Sequence, residues 1–199
     1  MRKKLFGLVP LLAITAFAVI PAAAQAAPHW YKQSKLLGAA PTTITTKGKI
    51  VLTSTSTVFK CKITDGEEIF NPVGGGAGQD LITSITFTAC KAKPLSSASG
   101  CFTGTATVVP TGLPWASELL AGTPIRDEIR LKILISCSAG TVPEEIGGAL
   151  TPEVGNGVLI FGGAGGGTLT DPFSNPVLVT GKDKLLGPPG KGKITSQDP

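Results

Sequence analysis

The sequence predicts an all-β protein, and three observations predict it. Apolar residues alternate with period two in the longest patterned segments, and Gly, Pro and Asn clusters punctuate those segments. Helix signals are nearly absent. An antiparallel β-sandwich is the first architecture this pattern supports, and a β-barrel is the alternative. The immunoglobulin version of a sandwich is disfavoured because Trp115 lies far from Cys61 and close to Cys137.

Segments 49–52 and 58–63 flank the polar run 53–57 and read as a hairpin. In 81–90 the odd positions Leu81, Ile85, Phe87 and Ala89 are apolar, whereas Ser84, Thr86 and Thr88 share the phase of Cys90. That phase predicts an outward Cys90. Segment 102–109 is a threonine-valine strand closed by Pro110. Segment 125–137 is the clearest strand, with Ile125, Ile129, Leu131, Ile133, Ile135 and Cys137 on one face. Arg126, Glu128, Arg130 and Lys132 occupy the other. Segments 150–154 and 158–161 join through Gly155-Asn156-Gly157, whose residues tolerate positive φ, so a tight hairpin is expected. Shorter strands are expected at 168–170, 177–180 and 193–195. The one helical candidate is a single turn over 114–120, with Pro114 near its start and Gly122 past its end.

Residues 1–26 read as a cleavable export signal. Arg2, Lys3 and Lys4 form a positive start, 5–20 a mostly apolar run, and Ala24-Gln25-Ala26 a small-residue cleavage site. The apolar run is shorter than the roughly 20 residues that span a bilayer, Pro10 and Pro21 interrupt it, and no second such stretch follows. The expectation is a secreted or extracytoplasmic protein with no transmembrane anchor after cleavage. Residues 27–199 form a single all-β domain, long enough for a substantial core.

The whole chain carries 18 Lys and Arg against 13 Asp and Glu; removing the three leader cations leaves a formal charge of +2. That is too small to argue for nucleic acid. The basic residues read as scattered apart from Lys182, Lys184, Lys191 and Lys193, a solvated tail or an attraction for an anionic envelope polymer. Cys61, Cys90, Cys101 and Cys137 all follow the leader, where disulfides persist. Strand phase pairs Cys90 with Cys101 across a polar turn and Cys61 with Cys137 inside. No CxxC or HxxxH spacing points to a metal, and no cofactor motif is present.

Catalytic chemistry finds little support. The lone histidine, His29, leaves no base for a serine triad, and Pro28 lacks the amide proton that an N-terminal copper site needs. The glycine tracts 74–78 and 162–167 read as turns, since no Gly-Lys-Ser/Thr closes them. Carboxylates come as doublets, Glu67-Glu68, Asp127-Glu128 and Glu144-Glu145, whose members point to opposite faces of a strand. Only a pair from distant segments, such as Asp65 or Glu67 with Glu145, would serve a hydrolase. Trp30, Tyr31 and Trp115 are the candidate binding residues, with Trp115 read alternatively as a plug over one end of the core. Replacing Glu67, Glu145 or Asp127 is expected to matter little, as for exposed acids on a wet face, and replacing Trp30 or Trp115 to matter more.

His29-Trp30-Tyr31, the tract from Asn71 to Gly78, Leu113-Pro114-Trp115 and the tract from Phe161 to Gly165 together resemble a group of small exported bacterial all-β proteins. The resemblance implies secretion and a β fold, and brings no activity with it. The chain therefore reads as an exported, non-enzymatic envelope or extracellular protein acting in recognition, adhesion or assembly. An envelope polymer or another surface protein is the expected partner. A secreted hydrolase acting on an envelope or environmental polymer is the rival.

Overall fold

The computed structural model describes residues 27–97, 101, 104–137, 143–162, 166–187 and 194–197. The proposed leader, Lys191 and Lys193 lie outside them. In chain order the strands are β1 (His29–Lys32), β2 (Lys35–Leu36), β3 (Thr42–Thr53), β4 (Thr57–Phe70), β5 (Gln79–Pro94), β6 (Gly104–Pro110) and β7 (Trp115–Leu120). They continue with β8 (Arg126–Cys137), β9 (Glu144–Leu150), β10 (Glu153–Gly155), β11 (Val158–Phe161), β12 (Thr168–Thr170), β13 (Pro176–Leu186) and β14 (Ile194–Gln197).

The all-β expectation holds, and of the two architectures the barrel is the one formed. Each strand from β3 onward pairs antiparallel with its neighbours, and β13 returns to pair with β3 along nine residue positions, which closes the sheet. Three of its eight staves consist of two strands end to end. β6 and β7 both bridge β5 and β8, β9 and β10 both pair with β8, and β11 and β12 both pair with β13. The result is an up-and-down barrel in sequence order, a closed form that leaves no long edge to aggregate.

Closure needs close approach along the β3–β13 seam. A Cβ at Gly48 would overlap the Lys182 carbonyl and come within 2.7 Å of the Asp183 Cα, so only glycine fits there. The expected hairpin forms between β10 and β11, with Asn156 at φ 53° and Gly157 at φ 76° in its turn. The expected helical turn over 114–120 is a strand instead. Trp115, Ser117 and Leu119 point inward and their neighbours outward, a period-two burial that β5 and β8 enforce on either side. Local capping signals yield to that tertiary pairing.

Strand β4 shows how the interior is made. Thr57, Phe59, Cys61, Ile63, Asp65, Glu67 and Ile69 alternate inward without a break. The aliphatic members and their counterparts Ile44, Leu52, Ile129, Ile133, Ile146, Leu150, Leu169 and Val179 form one buried core. Each contributes about 1.5–3 kcal/mol by leaving water. Threonines and lysines dominate the outward positions of β3 and β4, the inverse of a membrane-spanning barrel with its apolar outer band.

The disulfides correct the expected pairing: Cys61 joins Cys90 and Cys101 joins Cys137. The cause lies in β5. Lys60 faces Lys91 but Lys62 faces Thr88, so Ala89 and Cys90 together oppose Cys61 in a β-bulge, with Ala89 at φ 50°. The bulge reverses the side-chain phase and turns Cys90 inward, 3% exposed, next to Cys61. Cys61 and Cys137 do both face inward as their phase indicates. They sit on β4 and β8, however, with β5 and β6 between them.

A second sheet, β14-β1-β2, covers the end of the barrel at which β4 turns into β5. Asn71 ties it down. The Trp30 amide donates to Asn71 Oδ1 at 2.8 Å, and Asn71 Nδ2 donates to the carbonyls of Trp30 at 2.9 Å and Leu37 at 2.8 Å. Asn71→Ala strands the Trp30 amide and the Leu37 carbonyl and leaves the Trp30 carbonyl only its bond from the Leu37 amide at 3.0 Å, and a loss of about 3 kcal/mol is expected in urea unfolding. Unchanged stability would show that the cap is held by other contacts.

Candidate functional site

The unusual feature of this barrel is a layer of carboxylic acids inside it, below the capped end. Asp65 and Glu67 come from β4, Asp80 from β5, Asp127 from β8 and Asp183 from β13, all between 1% and 5% exposed. Each is in phase with the aliphatic residues of its own strand, so the barrel pleat carries it inward with them.

Two hydroxyls organise the layer. Thr46 Oγ1 bonds Asp65 Oδ1 and lies 2.6 Å from Asp183 Oδ2. Ser117 Oγ bonds Asp80 Oδ1 and lies 2.7 Å from Asp127 Oδ1. A hydroxyl has one proton to donate. When it bridges two carboxyls, one of them must itself be protonated and donate to the hydroxyl oxygen. Donor counting therefore puts at least one proton in each trio.

The electrostatics agree. Burial pushes Asp183 up to about 8, with the charge of Asp65 adding to the effect. Burial likewise raises Asp127 well above the usual carboxylate range, helped by the charge of Asp80. Asp80 is lifted to about 6 by burial, against hydrogen bonds from Ser117 and Asp127 that favour its charged form. Glu67 lies within reach of both trios. Burial raises it most, its hydrogen bond with Asp65 next, and the charges of Asp80, Asp65 and Asp127 add to these. No lysine or arginine is buried among the described residues to neutralise the layer.

What this arrangement can do is hold and share protons. The space beside Asp65, Glu67 and Asp183 measures about 40 Å³, with aliphatic and aromatic walls. That admits about one to three waters and no sugar ring. Among the described residues no group of three or more His, Cys, Asp or Glu is placed to hold a metal ion.

The residues singled out from sequence fall elsewhere. Trp30 is 1% exposed in the cap and Trp115 is 4% exposed in the barrel wall, so neither presents an open stacking face, and Trp115 packs into the core as its reading as a plug had it. Trp115 Nε1 donates to the Thr111 carbonyl at 2.8 Å, which fixes the indole as part of the core. Tyr31 lies half-buried on β1, next to Trp30, and His29 begins the same strand. Glu67 and Asp127, expected on a wet face, are interior. Glu145 is on the surface, where it pairs with Lys132 at 3.3 Å, so it does not join Asp65 or Glu67.

The signal for the acid layer lies in strand phase and not in the carboxylate doublets. Asp127 interrupts the run of Ile125 and Ile129 on the apolar face, Asp65 and Glu67 lie between Ile63 and Ile69, and Asp183 precedes Leu185 by two. An acid on the apolar phase of a strand was the available signal.

Outside the barrel, a shallow groove of about 730 Å³ runs past Arg130, Lys132 and Glu145, and at the end opposite the cap the described residues Phe59, Ile135 and Val177 help to line a hollow of about 290 Å³. Comparison with protein-family profiles, with curated proteins and with solved structures finds no match to this chain.

Proposed function

We propose that this chain is an exported, non-enzymatic binding protein of the bacterial envelope or exterior, acting through the outer surface of its barrel. One observation carries the reading: the carboxylates that converge do so inside, sealed in hydroxyl bridges around a space too small for a polymer residue. General acid and base work on a glycan needs two carboxyls facing a bound sugar. Here Thr46 and Ser117 each bridge two of the acids in the barrel interior, and the space beside Asp65, Glu67 and Asp183 admits no sugar. The two disulfides are consistent with an oxidising, extracellular location. Among the described residues no helix is long and apolar enough to cross a membrane.

The experiment is co-sedimentation of the oxidised protein with insoluble envelope polymer, followed by assay of the supernatant for released fragments. Retention without release is the expected result. Fragment release that Asp127→Asn abolishes, with the circular dichroism spectrum unchanged, would replace this reading by the hydrolase.

A further inference from the structure

Lysines scattered through the sequence come together on one outer wall of the barrel. Across β13, β3, β4 and β5 the pairing register stacks four rows. Lys184 lies beside Lys47 in the first, and Lys182, Lys49 and Lys62 are consecutive in the second. Lys60 and Lys91 are neighbours in the third, and Lys93 ends the fourth. All eight are exposed. The band moves one strand over with nearly every row, so it forms a diagonal track. With rows about 6.6 Å apart and strands about 4.8 Å apart, neighbouring ammonium groups lie within a screening length of one another.

This placement is costly in the free protein. Four lysine pairs face each other directly, Lys47 with Lys184, Lys49 with both Lys182 and Lys62, and Lys60 with Lys91. Like charges opposite one another destabilise a sheet. The salt bridges found among the described residues, Arg130 with Glu128 and Lys132 with Glu145, are on β8 and β9 and relieve none of them. Five of the chain's 13 acids are inside the barrel, which leaves the outer face more basic than the formal charge conveys.

We propose that the lysine track binds a linear anionic glycan carrying carboxylate or phosphate groups along its backbone. This rests on the surface-binding reading above and names its ligand class. A narrow diagonal suits a chain better than a membrane plane, which would touch a convex wall along one line only. The remaining positions of the four rows are threonine, valine and one leucine, with no aromatic or arginine side chain to stack on a base. Thr64, Thr88 and Thr180 flank the lysines with hydroxyls suited to sugar oxygens.

Binding of the oxidised full domain would be measured to alginate and to phosphomannan, with dextran, duplex DNA and phosphatidylglycerol vesicles alongside. At least one of the two anionic glycans is expected to bind, with affinity falling tenfold or more between about 50 and 200 mM salt. The double variant Lys49→Gln/Lys62→Gln should bind about tenfold more weakly, with a melting temperature unchanged or raised because a like-charge contact is gone. Lys32→Gln/Lys35→Gln, which removes the same charge from the cap, should bind as the parent does. Equal binding of dextran, tighter binding of DNA or vesicles, or equal losses in the two double variants would each overturn the track. Retention on envelope polymer that ignores the Lys49 and Lys62 changes would remove the track and leave the surface-binding reading standing. Retention on no polymer would remove both.

Discussion

The melting temperature of the oxidised protein is expected to be highest near pH 4 and to fall as the pH rises toward 8. Asp80 and Asp183 hold their protons in the folded barrel up to about 6 and about 8, against 3.8 for an ordinary aspartate. Glu67 and Asp127 are raised in the same direction. An unfolded chain releases these protons above about pH 4, whereas the folded one keeps them, so the unfolded state binds fewer protons and stability declines with pH. The decline begins at the unfolded value and ends once the folded groups have titrated. For Asp80 alone it is on the order of 3 kcal/mol, and the coupled layer loses more in total. Most proteins show the opposite slope in this acidic range, because their carboxylates are paired and charged.

Two measurements check the acid layer independently. Unfolding in urea at about pH 6 should release protons into a weakly buffered solution. Asp127→Asn, whose amide can donate to Ser117 as the protonated acid does, should flatten the pH profile and raise stability near pH 8. A melting temperature that climbs from pH 4 to 8, together with proton uptake on unfolding, would show that the layer is charged.

Reduction of the disulfides should have the other large effect. The bridges close loops with sequence separations of 29 and 36 residues that do not overlap. On loop entropy each contributes about 3.5–4 kcal/mol, and separate loops add to roughly 7 kcal/mol. For a domain of this size that corresponds to a fall of about 15–30 °C. Non-reducing peptide maps should link Cys61 to Cys90 and Cys101 to Cys137. A map linking Cys61 to Cys137 would show that the β5 bulge is misplaced. Cys61→Ala/Cys90→Ala should lose about half of the total, since the second loop remains closed.

Much of the barrel is legible in the residues taken one strand at a time. The alternation of 125–137, the Gly155-Asn156-Gly157 turn and the inward phase of Cys61 and Cys137 all reappear in β8, the β10–β11 hairpin and the core. Each depends on the period of a strand or the φ tolerance of a turn, which neighbouring residues fix by themselves. The helix expected at 114–120 failed for the complementary reason. Pro114 and Gly122 are real local signals, but β5 and β8 each offer a ladder of backbone partners that one isolated helical turn cannot match.

The candidate surfaces divide the same way. Lys47, Lys62, Lys91 and Lys182 are far apart in the chain, and only the registers between strands bring them into one track. The Cys61–Cys90 bridge likewise depends on an unpaired residue in β5 that period-two counting passes over. The residues alone determined that the chain is all-β, which face most of its strands bury, and that four cysteines are present to be paired. Tertiary structure alone decided that the sheet closes, which cysteine meets which, and that the buried acids meet across two hydroxyls. Phase is a property of one strand, whereas closure, register and bulges are properties of strand pairs, and their partners lie far away along the chain.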